Sequence, residues 1–264
     1  MPLPSLFIPH GAGPCFFMRP EEGFGDMWNG LGQWLRDLNA WVKDKPKAIL
    51  VVSAHWQTQG FAVTAAAQHS LLYDYSGFPL HTYALKYPAS GDPALASKIA
   101  GLLNDEGLSC GLDDDRGLDH GAFIPLMLAY PKADIPVLQL SLDARLDAAT
   151  HYQVGECLAC LREEGVLIIG SGMSFHNMRP DPQVVTERGE AFDQWLNQTL
   201  SLEAEARKRA LVNWQSAPFA RFAHPTEEHF MPLLTVCGAA HNVPAKRVYH
   251  ERLAGTVDIS AYQF

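Results

Sequence analysis

Three short apolar runs in this sequence each lead into a histidine. Leu6-Phe7-Ile8-Pro9 runs into His10, and Ile49-Leu50-Val51-Val52-Ser53-Ala54 runs into His55. Val166-Leu167-Ile168-Ile169-Gly170-Ser171-Gly172 is followed a few residues on by His176. Runs this short, β-rich and without polar alternation read as strands buried on both faces of a sheet. Open α/β sheets bind ligands just beyond the carboxyl ends of their strands. The spacing therefore places three imidazoles where such folds keep their chemistry. Imidazole is the commonest metal-binding side chain near neutral pH, and rigid strand ends hold ligands more precisely than loop tips.

Two further histidines have suggestive settings. His120 closes the polar loop Asp113 to Gly121, just ahead of the apolar stretch Ala122 to Ala129. His229 follows Thr226-Glu227-Glu228. Thr226 is a good cap for a helix running to about Val236, with both glutamates set against its N-terminal dipole. That puts His229 in the first turn, able to point back across the mouth of the sheet. Any one of these histidines is most simply a turn or core residue. The joint placement of His10, His55, His120, His176 and His229 is what argues for a converging site. The other histidines (His69, His81, His151, His224, His241 and His250) read as surface or loop residues, with His81 and His224 the nearest to exceptions.

Other spacings carry less. Cys157-Leu158-Ala159-Cys160 has the CxxC interval, but it falls within a helical stretch and has no second pair for a zinc ribbon. Asp113-Asp114-Asp115 lacks the ligand pattern of a calcium loop and reads as a solvated acidic turn. Gly11-Ala12-Gly13 is no phosphate-binding fingerprint.

The elements needed to position the histidines follow in order. Strands are expected at Ser5–Ile8, Ala48–Ser53, Phe61–Thr64, Val137–Leu142 and Val166–Gly170, with closing strands at Lys246–Tyr249 and Thr256–Ile259. Helical spacing of Trp28, Leu31, Trp34, Leu35, Leu38 and Val42 predicts a helix over 27–42, stopped by Lys45-Pro46. Asp92 and Pro93 open a helix that runs to about Glu106. Further helices are expected at 147–164, 187–200 and 202–214. Between Gln68 and Pro88 the chain is aromatic and turn-rich; a long irregular stretch of this composition reads as one wall of a pocket. The fold class is α/β: a single domain over 1–264 with a mostly parallel central sheet flanked by helices and the site at the carboxyl ends of the strands.

Composition bounds the partners. The 264 residues carry a net charge of -9, which argues against nucleic acid or an anionic membrane surface. No apolar run approaches a membrane span, and the start Met1-Pro2-Leu3-Pro4 has no basic n-region of a signal peptide. Five scattered cysteines fit a reducing, cytoplasmic setting better than a disulfide framework. A homo-oligomer is compatible with the sequence.

Five blocks together resemble one family. They are Phe7-Ile8-Pro9-His10-Gly11, Val52-Ser53-Ala54-His55-Trp56, Gly117-Leu118-Asp119-His120-Gly121, Gly170-Ser171-Gly172 through His176-Asn177, and His224-Pro225-Thr226-Glu227-Glu228-His229-Phe230-Met231-Pro232-Leu233. In this order they look like the class III extradiol ring-cleavage dioxygenases, the superfamily of the protocatechuate dioxygenase catalytic subunit, and within it the DOPA extradiol dioxygenase branch. The resemblance implies one non-haem Fe(II); Zn(II) can occupy such a site as well, because divalent affinities follow ion type more than biological purpose. It implies His10, His55 and His229 as metal ligands, with Glu227 or Glu228 as alternatives where the wider superfamily has a glutamate. It implies His176 as acid/base, His120 as a substrate contact, and O2 with a DOPA-like catechol as substrates. The reaction implied is 4,5-extradiol cleavage to a muconic semialdehyde. A catecholic acid would need a cation nearby, for which Arg116, Arg179 and Arg221 are available. Two rivals use the same residues: a zinc hydrolase, and a binding protein without enzymatic activity.

Overall fold

The computed structural model describes residues 2–42 and 44–264; Met1, the first residue of the N-terminal reading, lies outside them. The chain opens with β1 (Ser5–Pro9), buried along its whole length. Where one helix is expected over 27–42 there are two, α1 (Asn29–Arg36) and α2 (Leu38–Trp41), meeting at Asp37. Next come β2 (Ala48–Thr58), β3 (Phe61–Thr64), α3 (Pro93–Asp105) and β4 (Cys110–Asp113). The Asp92 side chain caps α3 by accepting from Leu95 N, as its position predicts. The middle of the chain holds α4 (His120–Ala129), β5 (Val137–Asp143), α5 (Ala148–Leu158) and β6 (Val166–Gly172). The last third holds α6 (Val185–Leu200), α7 (Ala204–Val212), α8 (Ala220–Ala223), α9 (Met231–Ala239), β7 (Lys246–Leu253) and β8 (Val257–Gln263).

The strands form one sheet in the order β4-β3-β5-β2-β6-β1-β8-β7. The centre is parallel: β5 with β2, β2 with β6, and β6 with β1. The antiparallel pairs β1–β8, β7–β8 and β3–β5 lie outside that centre. The expected mostly parallel α/β architecture is thus what the chain adopts. Its core is split between the two faces of the sheet. Leu50, Val52 and Ile168 pack on one side with α5 and α9, and Ile49, Val51 and Ile169 on the other with α1 and α4. Among the described residues no helix is long and apolar enough to cross a membrane.

Two departures bear on the site. β2 does not stop at Ser53: it continues to Thr58, and its pairing with β5 shifts register between Val52 and Gln57. His55 therefore sits inside the strand at an irregularity, not beyond its end. Such irregularities bend a strand and re-aim its side chains. Second, α9 begins at Met231, so Thr226 caps nothing; its hydroxyl donates to Glu228 Oε1 at 2.9 Å. His229 lies in the turn just before the helix rather than in its first turn.

Gly172 explains how that turn comes so close to the sheet. A Cβ at Gly172 would collide with the His229 carbonyl oxygen, and one at Gly170 would lie 2.5 Å from the Pro232 oxygen. The missing side chains let the segment carrying His229 rest directly on β6, where Met173 N donates to the His229 carbonyl at 3.1 Å.

Candidate functional site

All five singled-out histidines line one cavity of about 440 Å³. His10, His120 and His229 are 1%, 6% and 4% exposed, and His55 and His176 are half-buried. His10 leaves β1 with its N–H bonded to Gly172 O at 3.2 Å, which ties it to the end of β6. Its Nε2 lies 3.0 Å from His55 Nε2. His10, His55 and His229 each offer a ring nitrogen within 4.8 Å of the other two.

Their hydrogen bonds decide which nitrogen faces inward. The Ser171 hydroxyl donates its one proton to Gly121 O at 2.5 Å, because a carbonyl can only accept. Its contact of 3.1 Å with His10 Nδ1 then needs His10 Nδ1–H as donor, leaving Nε2 unprotonated. His229 Nδ1 is 3.1 Å from Glu228 Oε1 and donates to that carboxylate, which leaves its Nε2 free as well. This outward Nδ1, inward Nε2 arrangement is the one metal-binding histidines use. Two imidazole nitrogens facing each other at 3.0 Å need a proton or a cation between them. Nitrogens about 2.1 Å from one ion and at right angles to each other lie about 3 Å apart. The donor set therefore fits a divalent ion.

The electrostatics favour neutral rings. Burial first, then the neighbouring His55 and His229, hold His10 well below the ordinary histidine value. Burial and then His176 do the same for His229, and burial with His120 lowers His55 to about 3. Neutral imidazole is the form that binds metal.

His176 stacks on His229, ring centroids 3.3 Å apart and planes 14° from parallel. Its Nδ1 is 3.6 Å from the same Glu228 oxygen that holds His229. Burial lowers its pKa and Glu228 opposes that shift. His120 opens α4 beside His55, ring centroids 4.0 Å apart. Both its backbone N–H and its Nδ1 bond Asp74 Oδ1, at 2.9 and 2.8 Å. Burial works against ionisation of Asp74, but the hydrogen bond and charge of His120 outweigh it, and the carboxyl lies below its ordinary range. An ionised Asp74 only accepts, so neutral His120 presents an unprotonated Nε2. In that state it accepts a hydrogen bond; it donates one only when protonated.

Beneath these rings lies Asp119, fully buried. It caps α4, accepts from Ser53 Oγ at 2.8 Å and from Arg116 at 3.3 Å, and is hydrogen-bonded by the Gln139 amide. Arg116 also donates to the His55 carbonyl at 3.3 Å and lies 4.7 Å from the Trp56 ring centroid.

Several sequence expectations are corrected here. Glu228 is no dipole residue of a helix; it faces His229 and His176. The tyrosines of the 68–88 stretch do not wall the cavity: Tyr73 and Tyr75 turn their hydroxyls onto Leu85 O and Thr82 O, and only Phe78 of that stretch lines the cavity. His151 and His224, read as surface or loop residues, are fully buried. Of the three arginines, Arg116 is spent on Asp119, Arg221 pairs with Glu227 at 2.6 Å, and Arg179 is exposed. Asp74 and Ser171 carried no sequence signal of a role at the site. A carboxylate in an irregular loop and a serine between two glycines disclose their partners only in three dimensions.

The comparisons with known proteins agree with this geometry. The chain is 43% identical over 98% of its length to the "4,5-DOPA dioxygenase extradiol" of Beta vulgaris, covering 96% of that protein. It is 41% identical over 98% of its length to the protein of the same name from Portulaca grandiflora, covering 95% of it. It is also similar to the crystal structure of an uncharacterized protein from Escherichia coli K12, with a TM-score of 0.77, 32% identity and 99% of both chains covered. The model of the family described as "Catalytic LigB subunit of aromatic ring-opening dioxygenase" matches residues 4–261. The chain belongs to this family of ring-opening dioxygenases, whose chemistry uses a divalent metal, a small aromatic substrate and O2.

Proposed function

We propose that residues 1–264 form one catalytic domain in which His10, His55 and His229 hold a single divalent ion, Fe(II) in the active enzyme, with Zn(II) able to take the same place. The substrate on this reading is a DOPA-like catechol, opened by 4,5-extradiol cleavage to a muconic semialdehyde. The observation that carries it is the set of three converging imidazoles, of which the buried His10 and His229 are held by outward hydrogen bonds to Ser171 and Glu228. Two other groups of donors lie nearby, His55-Asp74-His120 and His176-Glu228-His229. In each of these the carboxylate is already engaged by an imidazole N–H, which makes it a weaker cradle.

Bound there, Fe(II) would supply a redox-active centre that brings catechol and O2 together, replacing a bimolecular encounter with an oriented one. The protein's own residues do the rest. His176, beside the ligands, accepts the proton a catechol loses on binding and returns it when the ring opens. Glu228 bonds His229 Nδ1 through the oxygen that also lies 3.6 Å from His176 Nδ1, which sets a carboxylate beside the acid/base group. His120, fixed by Asp74, meets the substrate oxygens: neutral it accepts from a hydroxyl, protonated it stabilises an oxyanion. The five cysteines, all free, support the cytoplasmic location read from their scatter.

The test is reconstitution. The metal-stripped chain is loaded anaerobically with Fe(II), then given a catechol and air. Uptake of one O2 per ring opened, with a coloured semialdehyde product, is expected. O2-independent activity with zinc alone would replace this reading with hydrolysis. Silence with every metal would reduce the protein to a binding role.

A further inference from the structure

We infer that, within the metal-centre reading on which this rests, Asp119 is a positioning residue: through Ser53 and Arg116 it fixes the backbone of His55, and so the aim of that ligand. The β2–β6 register ends at Ser53, and the β2–β5 register resumes only at Gln57. His55 lies in the gap, where its N–H and C=O need partners outside the ladder. Both partners are side chains. The His55 N–H donates to Ser53 Oγ at 3.2 Å, and the His55 carbonyl accepts from Arg116 Nη2 at 3.3 Å. Each of those side chains is itself held by Asp119. Ser53 Oγ donates to its Oδ1 at 2.8 Å, and the same Arg116 Nη2 donates to its Oδ2 at 3.3 Å. One carboxylate thus clamps His55 on both sides of its Cα.

The carboxylate is well anchored. It is fully buried, the Gln139 amide of β5 bonds it, and the Asp119 N–H donates to Gln139 Oε1 at 3.2 Å. Its Oδ1 also accepts from Ala122 N at 3.2 Å, so the group that aims His55 also caps α4 and seats His120. Gly121 allows the close approach of helix to strand: a Cβ there would lie 2.8 Å from Ser53 Oγ and 3.0 Å from His55 Cδ2. A ligand on an irregular strand keeps its aim only while the backbone is held, and metal affinity is sensitive to such outer partners.

The test is the zinc affinity of the full chain, read by competition with a chelator, with the visible spectrum of the Co(II)-loaded chain reporting ligand geometry. Asp119→Asn keeps an oxygen for Ser53 and a good cap for α4, but its amide nitrogen cannot accept from Arg116. Arg116→Met keeps a chain over Trp56 and loses the donor. Each should weaken zinc binding about tenfold or more and shift the Co(II) bands at saturating metal. Because both break one link, the double variant should bind within about twofold of the weaker single. Arg116→Lys, whose ammonium can donate to both oxygens, should recover most of the loss. Leu211→Ala, a fully buried position in α7 outside the cavity, should lower the urea midpoint and leave zinc affinity and the Co(II) spectrum unchanged. Wild-type affinity and spectrum in Asp119→Asn and Arg116→Met, an additive double variant, or an equal loss in Leu211→Ala would overturn the inference. Zinc affinity untouched by His55→Ala would overturn the metal-centre reading instead.

Discussion

Ser171→Ala removes a single oxygen from the middle of the site. Ser171 is fully buried, and its hydroxyl joins Gly121 O at 2.5 Å to His10 Nδ1 at 3.1 Å. The substitution leaves a buried carbonyl without its donor and a buried N–H without its acceptor. Each unsatisfied buried group costs about 1–3 kcal/mol, with the carbonyl toward the lower end, so the metal-free protein should lose about 2–4 kcal/mol. The cavity contribution is small because only one atom is missing. A second effect is separable from the first. Without an acceptor at Nδ1, His10 can carry its proton on Nε2 instead, hydrogen-bonded to His55 Nε2 3.0 Å away. That closes one ligand position, and loss of such an outer hydrogen bond lowers metal affinity about 10–100-fold. Urea unfolding of the metal-free protein reads the first effect, and competition for Zn(II) with a chelator reads the second. Stability within about 0.5 kcal/mol of wild type together with unchanged zinc affinity would refute the tautomer argument.

His176→Ala should keep its metal, measured by elemental analysis, and lose turnover by about 10²-fold or more; normal turnover would remove His176 from the acid/base role. Asp74→Asn substitutes an amide for the carboxylate that holds His120; we expect kcat to fall about tenfold or more at unchanged metal content, and an unaltered rate would show that the bond to His120 is idle. The fully buried His224, which donates to Ser174 O at 3.1 Å, has its pKa lowered to about 3 by burial. Its unfolded value is near 6.5, so between the two the unfolded chain binds the extra proton and stability falls as pH falls. Full stability from this group is present above about pH 6.5, and about 2 kcal/mol of it should be lost between pH 7.5 and pH 5. Urea midpoints of wild type and His224→Leu at both pH values check this; equal acid sensitivity in the two would refute it.

The strands and the histidines were legible in the sequence for one reason: both are local. An unbroken apolar run such as Leu167-Ile168-Ile169 announces a buried strand, and a histidine close behind it announces a position at the strand end. What the sequence hid depends on chain segments far apart. Asp74 meets His120 across 46 positions, and Ser171 meets Gly121 across 50. Neither contact leaves a periodic trace. α4 was visible only as an apolar stretch because it is buried on nearly every side and contains Pro125, so no amphipathic rhythm marks it. Glu228 was misjudged because Thr226 looked like a cap; the chain instead stays in turns until Pro232 can occupy the first turn of α9. His151 and His224 show the limit of reading a lone histidine, whose burial is decided by rings packing on it from elsewhere: Phe61 on His151, and Phe192, Trp214 and Phe230 on His224.

The imidazole face is tested most directly by anomalous scattering from crystals of the metal-loaded protein. We expect one peak, within bonding distance of His10, His55 and His229 through their Nε2 atoms, with His176 alongside. A peak lodged between His55, Asp74 and His120 instead, or no peak at all in metal-replete crystals, would contradict the assignment.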